Sequence, residues 1–184
     1  MILLDYSQIA LSNIIVQKLN DENMIRHMIL NSIRMYNKKY RNEYGQMVIC
    51  ADGMNTWRKD YFPLYKAHRK KNRSESDQDW PEIFRILNLV REEIRENLPY
   101  KVIHLEGCEA DDVIGTLAMQ TQEFGQHEPV MIISSDKDFI QLHKYTNVKQ
   151  FSPIQKKMVS DPNPRTYCFE HICKGDKGDG IPNI

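Results

Sequence analysis

The sequence lacks any apolar run near the ~20 residues that a membrane span needs, and residues 1–5, MILLD, reach an acidic residue instead of a signal-peptide core. It therefore reads as a chain that stays where it is made. Its four cysteines, Cys50, Cys108, Cys168 and Cys173, form no CxxC pair. That argues against a disulfide framework and against zinc, and for reduced thiols in the cytoplasm. Glycine and proline are sparse, at eight each, which excludes collagen-like and low-complexity chains. There is no excess charge either: 25 Lys+Arg balance 25 Asp+Glu, so the average favours no charged partner. What remains is a 184-residue globular chain, long enough to bury about two thirds of its unfolded surface.

Apolar runs at Ile2–Leu4, Met47–Ala51, Lys101–Leu105 and Val130–Ser134 predict buried strands. Between them, helices are predicted from Asn20 or Asp21 to Gly45, from Asp79 with Pro81 in its first turn to Leu98, and from Ala110 to Gly125. Alternating strands and helices point to an α/β fold with a mostly parallel sheet flanked by helices. Two segments break the alternation. Residues 54–78 are too long and polar for an ordinary connection and read as a functional loop or arch. Residues 144–160 read as a strand, a Ser-Pro turn and a strand, before a short helix over 165–174.

Acidic residues recur where strands end. Asp5 follows ILL, Asp52 follows VICA, and Asp136 and Asp138 follow MIISS. Glu109, Asp111 and Asp112 open a helix beyond the strand at 101–105. In open sheets that edge is where ligands bind. Carboxylates crowded there must take up protons or hold cations, and hard oxygen donors suit Mg²⁺ or Mn²⁺. Two such ions are the apparatus of phosphodiester hydrolysis. Each residue also has a bland reading as a turn former, a helix cap or a dipole partner, or, for Asp136 and Asp138, as the cap of FIQLH. Only their coincidence on one edge favours the metal site.

The segment 57–73 carries Arg58, Lys59, Lys66, Arg69, Lys70, Lys71 and Arg73, with Trp57, Tyr61, Phe62 and Tyr65 between them. Cations meet phosphates and rings stack on bases, so this reads as a single-strand contact. The alternative is a solvated charged loop. Lys66 and Arg69 share one face if the segment is helical, and a cation there would hold the scissile phosphate against the metals. The histidines, His27, His68, His104, His127, His143 and His171, show no ligand spacing and read as solvated or locally hydrogen-bonded. The nine methionines read mostly as helical core packing.

Taken together, LLDYSQIA, VICADG, WRKDY with YKAHR, EADDVIG, SSDKDFIQL and GDKGDGIP resemble the 5′-nuclease family of flap endonucleases and 5′ to 3′ exonucleases, most closely its bacteriophage ribonuclease H branch. The resemblance implies a catalytic domain over 1–174 with an arch at 54–78. It implies one metal among Asp5, Asp52 and Asp111, with Glu109 close by. A second lies among Asp136, Asp138 and Asp179, with Asp176 and Asp112 outside. Lys66 and Arg69 become catalytic phosphate contacts beside Asp111, with Arg58, Lys59, Tyr65, Lys70, Lys71 and Arg73 binding nucleic acid. The implied activity is Mg²⁺-dependent hydrolysis at 5′ ends or flaps of DNA and RNA·DNA duplexes, removing primers in phage replication in the infected host's cytoplasm. Single-strand-binding protein and sliding clamp are the implied partners.

Residues 175–184 then resemble the start of a helix-turn-helix element that binds duplex and K⁺, so the chain reads as cut within that motif. Gly180 stands where the family usually has Asn. A PIN-type endoribonuclease and a truncated, non-catalytic single-strand-binding protein are the alternatives. The long arch and GDKGDGIP count against the first, and the second predicts binding without Mg²⁺ and no cleavage.

Overall fold

The structure, a computed structural model, describes residues 1–17 and 21–184. In chain order the elements are β1 (Ile2–Asp5), α1 (Tyr6–Gln17), α2 (Glu22–Tyr44), β2 (Met47–Ala51), α3 (Arg58–Tyr61), α4 (Ala67–Ser74), α5 (Trp80–Asn97), β3 (Lys101–His104), α6 (Ala110–Gln120), β4 (Val130–Ile133), β5 (Val148–Ser152), β6 (Lys157–Val159) and α7 (Pro164–Lys174). The strands form one sheet in the order β3-β2-β1-β4-β5-β6, parallel throughout except for β6. The chain runs from β1 outward to β2 and β3, then returns to the other side of β1 with β4. Strand order therefore reverses between β1 and β4, the position where open sheets leave a crevice at their carboxyl ends.

Every residue of β1 and β4 is buried, as strands covered on both faces must be. Alternation sorts their side chains. Ile2 and Leu4 join α1, α2 and α5 in one core, whereas Leu3 and Ile132 join α6 in the other. Asp21 caps α2 by accepting from the Met24 amide at 2.8 Å, and Asp79 caps α5 by accepting from the Glu82 amide at 3.1 Å. The alternative cap, Asn20, lies outside the described residues.

Several expectations shift. Helix α1, not anticipated, follows β1 without a turn, burying Tyr6, Ile9, Ala10 and Ile14. Helix α6 stops at Gln120, and Glu123–Gly125 forms a separate 3₁₀ turn. The strands predicted to Leu105 and Ser134 each end one residue earlier, and FIQLH lies in a 3₁₀ segment, Asp138–Lys144. The methionines are not mainly core: Met24, Met35, Met54, Met119 and Met158 are exposed, while Met47 and Met131 are buried in strands. On α2 the buried stripe runs through Ile25, not Met24. Among the described residues no helix is long and apolar enough to cross a membrane, and all four cysteines are free thiols.

The segment 54–78 is an arch built on the short helices α3 and α4. Its root is fixed by Gly53, whose amide donates to the Cys108 carbonyl at 2.8 Å. A Cβ there would stand 1.8 Å from the Leu105 carbonyl oxygen, so the backbone approach tolerates only glycine. Residues 175–184 fold back beneath the arch: Asp176 and Ile181 form a backbone bridge, and the Lys66 amide donates to the Asp179 carbonyl at 2.8 Å. Gly180 has φ +76°, the left-handed region where glycine and asparagine are the ordinary occupants, so its exchange with Asn is governed by backbone shape.

Candidate functional site

Asp5 ends β1, Asp52 follows β2, Asp136 follows β4 and Asp111 lies in the first turn of α6, so the fold carries these four to the reversal point of the sheet. Three of them are held by hydrogen bonds. Asp5 accepts from the Gln8 amide at 3.1 Å and the Ser134 hydroxyl at 3.0 Å. Asp52 accepts from the Ala110 amide at 2.8 Å, which ties β2 to the start of α6. Asp136 accepts from the Asp138 amide at 2.9 Å.

No cation is bonded to any of these four among the described residues. Burial, with the charges of Asp52 and Asp136, pushes the Asp5 carboxyl up to about 7. Burial and the charges of Asp5, Asp136 and Asp52 push Asp111 up to about 8, against a smaller opposing pull from Lys66. Crowded oxygen donors repelling one another fit a hard divalent cation, which answers the charge and keeps several waters. The water matters because the four do not close on one point. Among the described residues, only Asp138, His171 and Asp176 bring three donor atoms within 4.8 Å of each other.

Three further predicted metal residues, Glu109, Asp112 and Asp179, are each paired with a cation. Glu109 receives the Lys66 Nζ at 3.0 Å on both oxygens and the Tyr65 hydroxyl at 2.9 Å. Asp112 receives Arg58 at 2.8 Å, Trp57 Nε1 at 3.3 Å and the Glu109 amide at 2.8 Å. Burial works against ionisation of Asp112, but Arg58 leads the bonds that outweigh it and hold the carboxyl below its usual range. Asp179 receives Arg69 at 2.6 Å and the Tyr65 hydroxyl at 3.0 Å. Asp112 is thus a helix cap and ion-pair partner, and Asp179 bonds to the arch residues Tyr65 and Arg69 while sharing a cavity wall with Asp138.

Two arch expectations need correction. Lys66 and Arg69 do not share a helix face, since Lys66 precedes α4 in a left-handed conformation, φ 55°; they converge because both reach Asp179. The Tyr65 ring is buried at 4% exposure, so it offers no stacking surface, and its hydroxyl bridges two carboxylates. Arg73 lies over the Trp80 and Phe84 rings, 5.5 and 4.9 Å from their centroids. Lys71 is exposed beside Glu75 at 3.8 Å.

The arch divides two cavities. One, of about 810 Å³, is basic: Lys59, Lys66, Arg69, Lys70, Arg73 and Arg91 line it, with Asp52 at its floor. The other, of about 790 Å³, is aromatic and acidic, with Trp57, Tyr61, Phe62, Asp111, Asp138 and Asp179 among its walls. Trp57 and Tyr61 are exposed and meet edge-to-face at 5.7 Å.

Sequence reasoning missed the residues that support the carboxylates. Gln150 on β5 is fully buried and donates to the carbonyls of Ser134 and Asp136 at 2.9 and 2.6 Å; the Ser134 hydroxyl bridges Asp5 and the Asp136 amide. A glutamine on the inward-facing side of the strand VKQFS, beside Val148 and Ser152, was the available signal. His171 was set aside, yet its Nε2 stands 3.0 Å from Asp138 and 3.6 Å from Asp176. The others keep local roles where their bonding is defined: His27 with Asn31, His127 with Gln122 and His143 with Gln150.

The family profile described as 5′-3′ exonuclease, N-terminal resolvase-like domain, matches residues 5–167. The chain is 40% identical over 191 residues to ribonuclease H of Enterobacteria phage T4, covering 99% of this chain and 62% of that protein. It thus spans less than two thirds of that relative's length. Its fold is similar to a bacteriophage T5 protein co-crystallised with metal ions (TM-score 0.79, 17% identity, 100% of this chain and 68% of that one). A T5 flap endonuclease solved with DNA and metal ions gives a TM-score of 0.77 at 18% identity, covering 100% of this chain and 69% of that one.

Proposed function

Because the chain belongs to the family of 5′-3′ exonuclease N-terminal, resolvase-like domains, we propose that it hydrolyses phosphodiester bonds at 5′ ends and flaps, on DNA and RNA·DNA duplexes, as a primer-removing nuclease of phage replication. The observation that carries this is the gathering of Asp5, Asp52, Asp111 and Asp136, with no cation bonded to them among the described residues, at the reversal point of the sheet beside a basic arch.

Asp5, Asp52, Asp111 and Asp136 would hold one divalent ion, Mg²⁺ by the hardness of the donors, and Asp138 and Asp176 a second. Bound there, such ions supply an activated water and charge neutralisation at the leaving oxygen. The chain's own residues do the rest. Asp52 is oriented by the Ala110 amide, and Asp5 by Ser134 and Gln8. Lys66 and Arg69, now on Glu109 and Asp179, stand at the boundary between the basic cavity and the carboxylates, where a substrate phosphate would compete for them. Trp57 and Tyr61 present rings to an unpaired base.

Cleavage of a 5′-flap substrate and an RNA·DNA duplex in Mg²⁺, beside Asp111→Asn, tests the reading. The parent should cut both and the variant neither; a parent no better than the variant ends the catalytic claim. Lys66→Ala should lower kcat more than it raises KM, because the contact strengthens as charge develops on the phosphate. Equal losses in both would make Lys66 a plain anchor.

A further inference from the structure

The cluster of Asp138, His171 and Asp176 is distinguished from the rest of the crevice by its nitrogen donor. We propose that His171 is a metal ligand, and that with Asp138 and Asp176 it makes a mixed nitrogen-oxygen subsite that takes a first-row transition ion in preference to Mg²⁺. This deepens the two-metal reading, with which it shares two carboxylates, by making the two subsites chemically unlike.

The three donor atoms lie within 4.8 Å of one another. At bond lengths near 2.1 Å, neighbouring ligand atoms in an octahedral or tetrahedral shell stand about 3.0–3.4 Å apart. Nε2 of His171 is 3.0 Å from Asp138 Oδ1, inside that range, and 3.6 Å from Asp176 Oδ2, so the Asp176 oxygen would move in by a few tenths of an ångström on binding. The ring is oriented from behind: it stacks on Tyr167, one turn earlier in α7, at 5.9 Å and 16° between planes. The helix itself packs on the 3₁₀ segment that opens with Asp138. Asp176 is divided in the way a ligand is, with Oδ1 accepting the Asp179 amide at 3.1 Å while Oδ2 faces the histidine. A cavity of about 300 Å³ opens beside the cluster, with room for waters to complete a shell.

Donor chemistry sets the preference. Mg²⁺ binds oxygen and dehydrates reluctantly, whereas imidazole suits later first-row ions such as Co²⁺ and Zn²⁺, which bind a mixed nitrogen-oxygen site more tightly than Mn²⁺ does. The competing account is that a protonated His171 is simply an ion-pair partner of the two carboxylates.

Binding, not cleavage, separates them, so this inference and the catalytic reading fail independently. Metal-stripped protein is titrated with Co²⁺ and its visible d–d absorption followed, with and without excess Mg²⁺. The parent should bind Co²⁺ and retain it against Mg²⁺. His171→Ala should weaken Co²⁺ binding at least about tenfold, while the Mg²⁺-induced rise in thermal midpoint stays. Asp111→Asn should keep the Co²⁺ spectrum. The inference is overturned if His171→Ala titrates like the parent, if Mg²⁺ displaces Co²⁺, or if Asp111→Asn alone removes the spectrum. Should His171→Ala misfold, selective broadening of the His171 ring resonances by substoichiometric Mn²⁺ in the parent gives the answer, and unbroadened resonances refute it.

Discussion

Asp5 and Asp111 hold protons that the same residues in an unfolded chain would lose near 3.8, since burial and neighbouring charge carry them to about 7 and about 8. Between those limits the folded, metal-free protein binds more protons than the unfolded chain. Its stability is therefore fully present below the ordinary carboxylate value and falls as pH rises through the raised ones, each unit of displacement being worth about 1.4 kcal/mol. The thermal midpoint in EDTA should drop between pH 5 and pH 8. Millimolar Mg²⁺ should restore more of it at pH 8, where it replaces protons already lost, than at pH 5. Asp111→Asn should raise the metal-free midpoint at pH 8 and flatten its pH dependence. A metal-free midpoint that climbs over this range would contradict the account. The acidic positions were readable because Asp5, Asp52 and Asp136 stand at or just beyond the ends of the apolar runs of β1, β2 and β4. Gln150 and His171 were not, because they act on residues distant in sequence: Gln150 reaches back to Ser134, and His171 to Asp138.

At the level of elements, the sheet was legible wherever an apolar run ended in polar punctuation, and α2 and α5 because a capping aspartate opens each of them. Helix α1 was hidden for a physical reason. Ile9, Ala10 and Ile14 are buried while Ile15 is exposed, so apolar residues lie on more than one face and leave no clean period. The arch helices were hidden for the opposite reason: neither α3 nor α4 buries any side chain, and both are held by ion pairs and the turn at Gly53. That turn makes a sharp prediction. Gly53→Ala must push back the Leu105 carbonyl and should cost about 3 kcal/mol or more in denaturant unfolding, with cleavage lost alongside because Asp52 is the next residue. A variant of parental stability would show that the contact relaxes freely.

For the whole molecule, the balance of 25 cations against 25 anions is local as well as global. Within the arch, Arg58, Lys66 and Arg69 are matched to Asp112, Glu109 and Asp179. Binding of a polyphosphate strand is consequently an exchange in which those three side chains trade one fixed anion for another. Only Lys59, Lys70, Lys71 and Arg73 would displace the mobile cations condensed on the strand without first leaving a buried or half-buried carboxylate. Affinity for single-stranded DNA should fall with salt at a slope nearer four neutralised phosphates than seven, at about 0.7 per contact. Measuring that slope by fluorescence anisotropy, with and without divalent metal, counts them. The helix start at Glu109 and the segment carrying Asp179 thus supply counterions to the arch, and the protein should hold DNA with less sensitivity to ionic strength than its sequence of lysines and arginines implies.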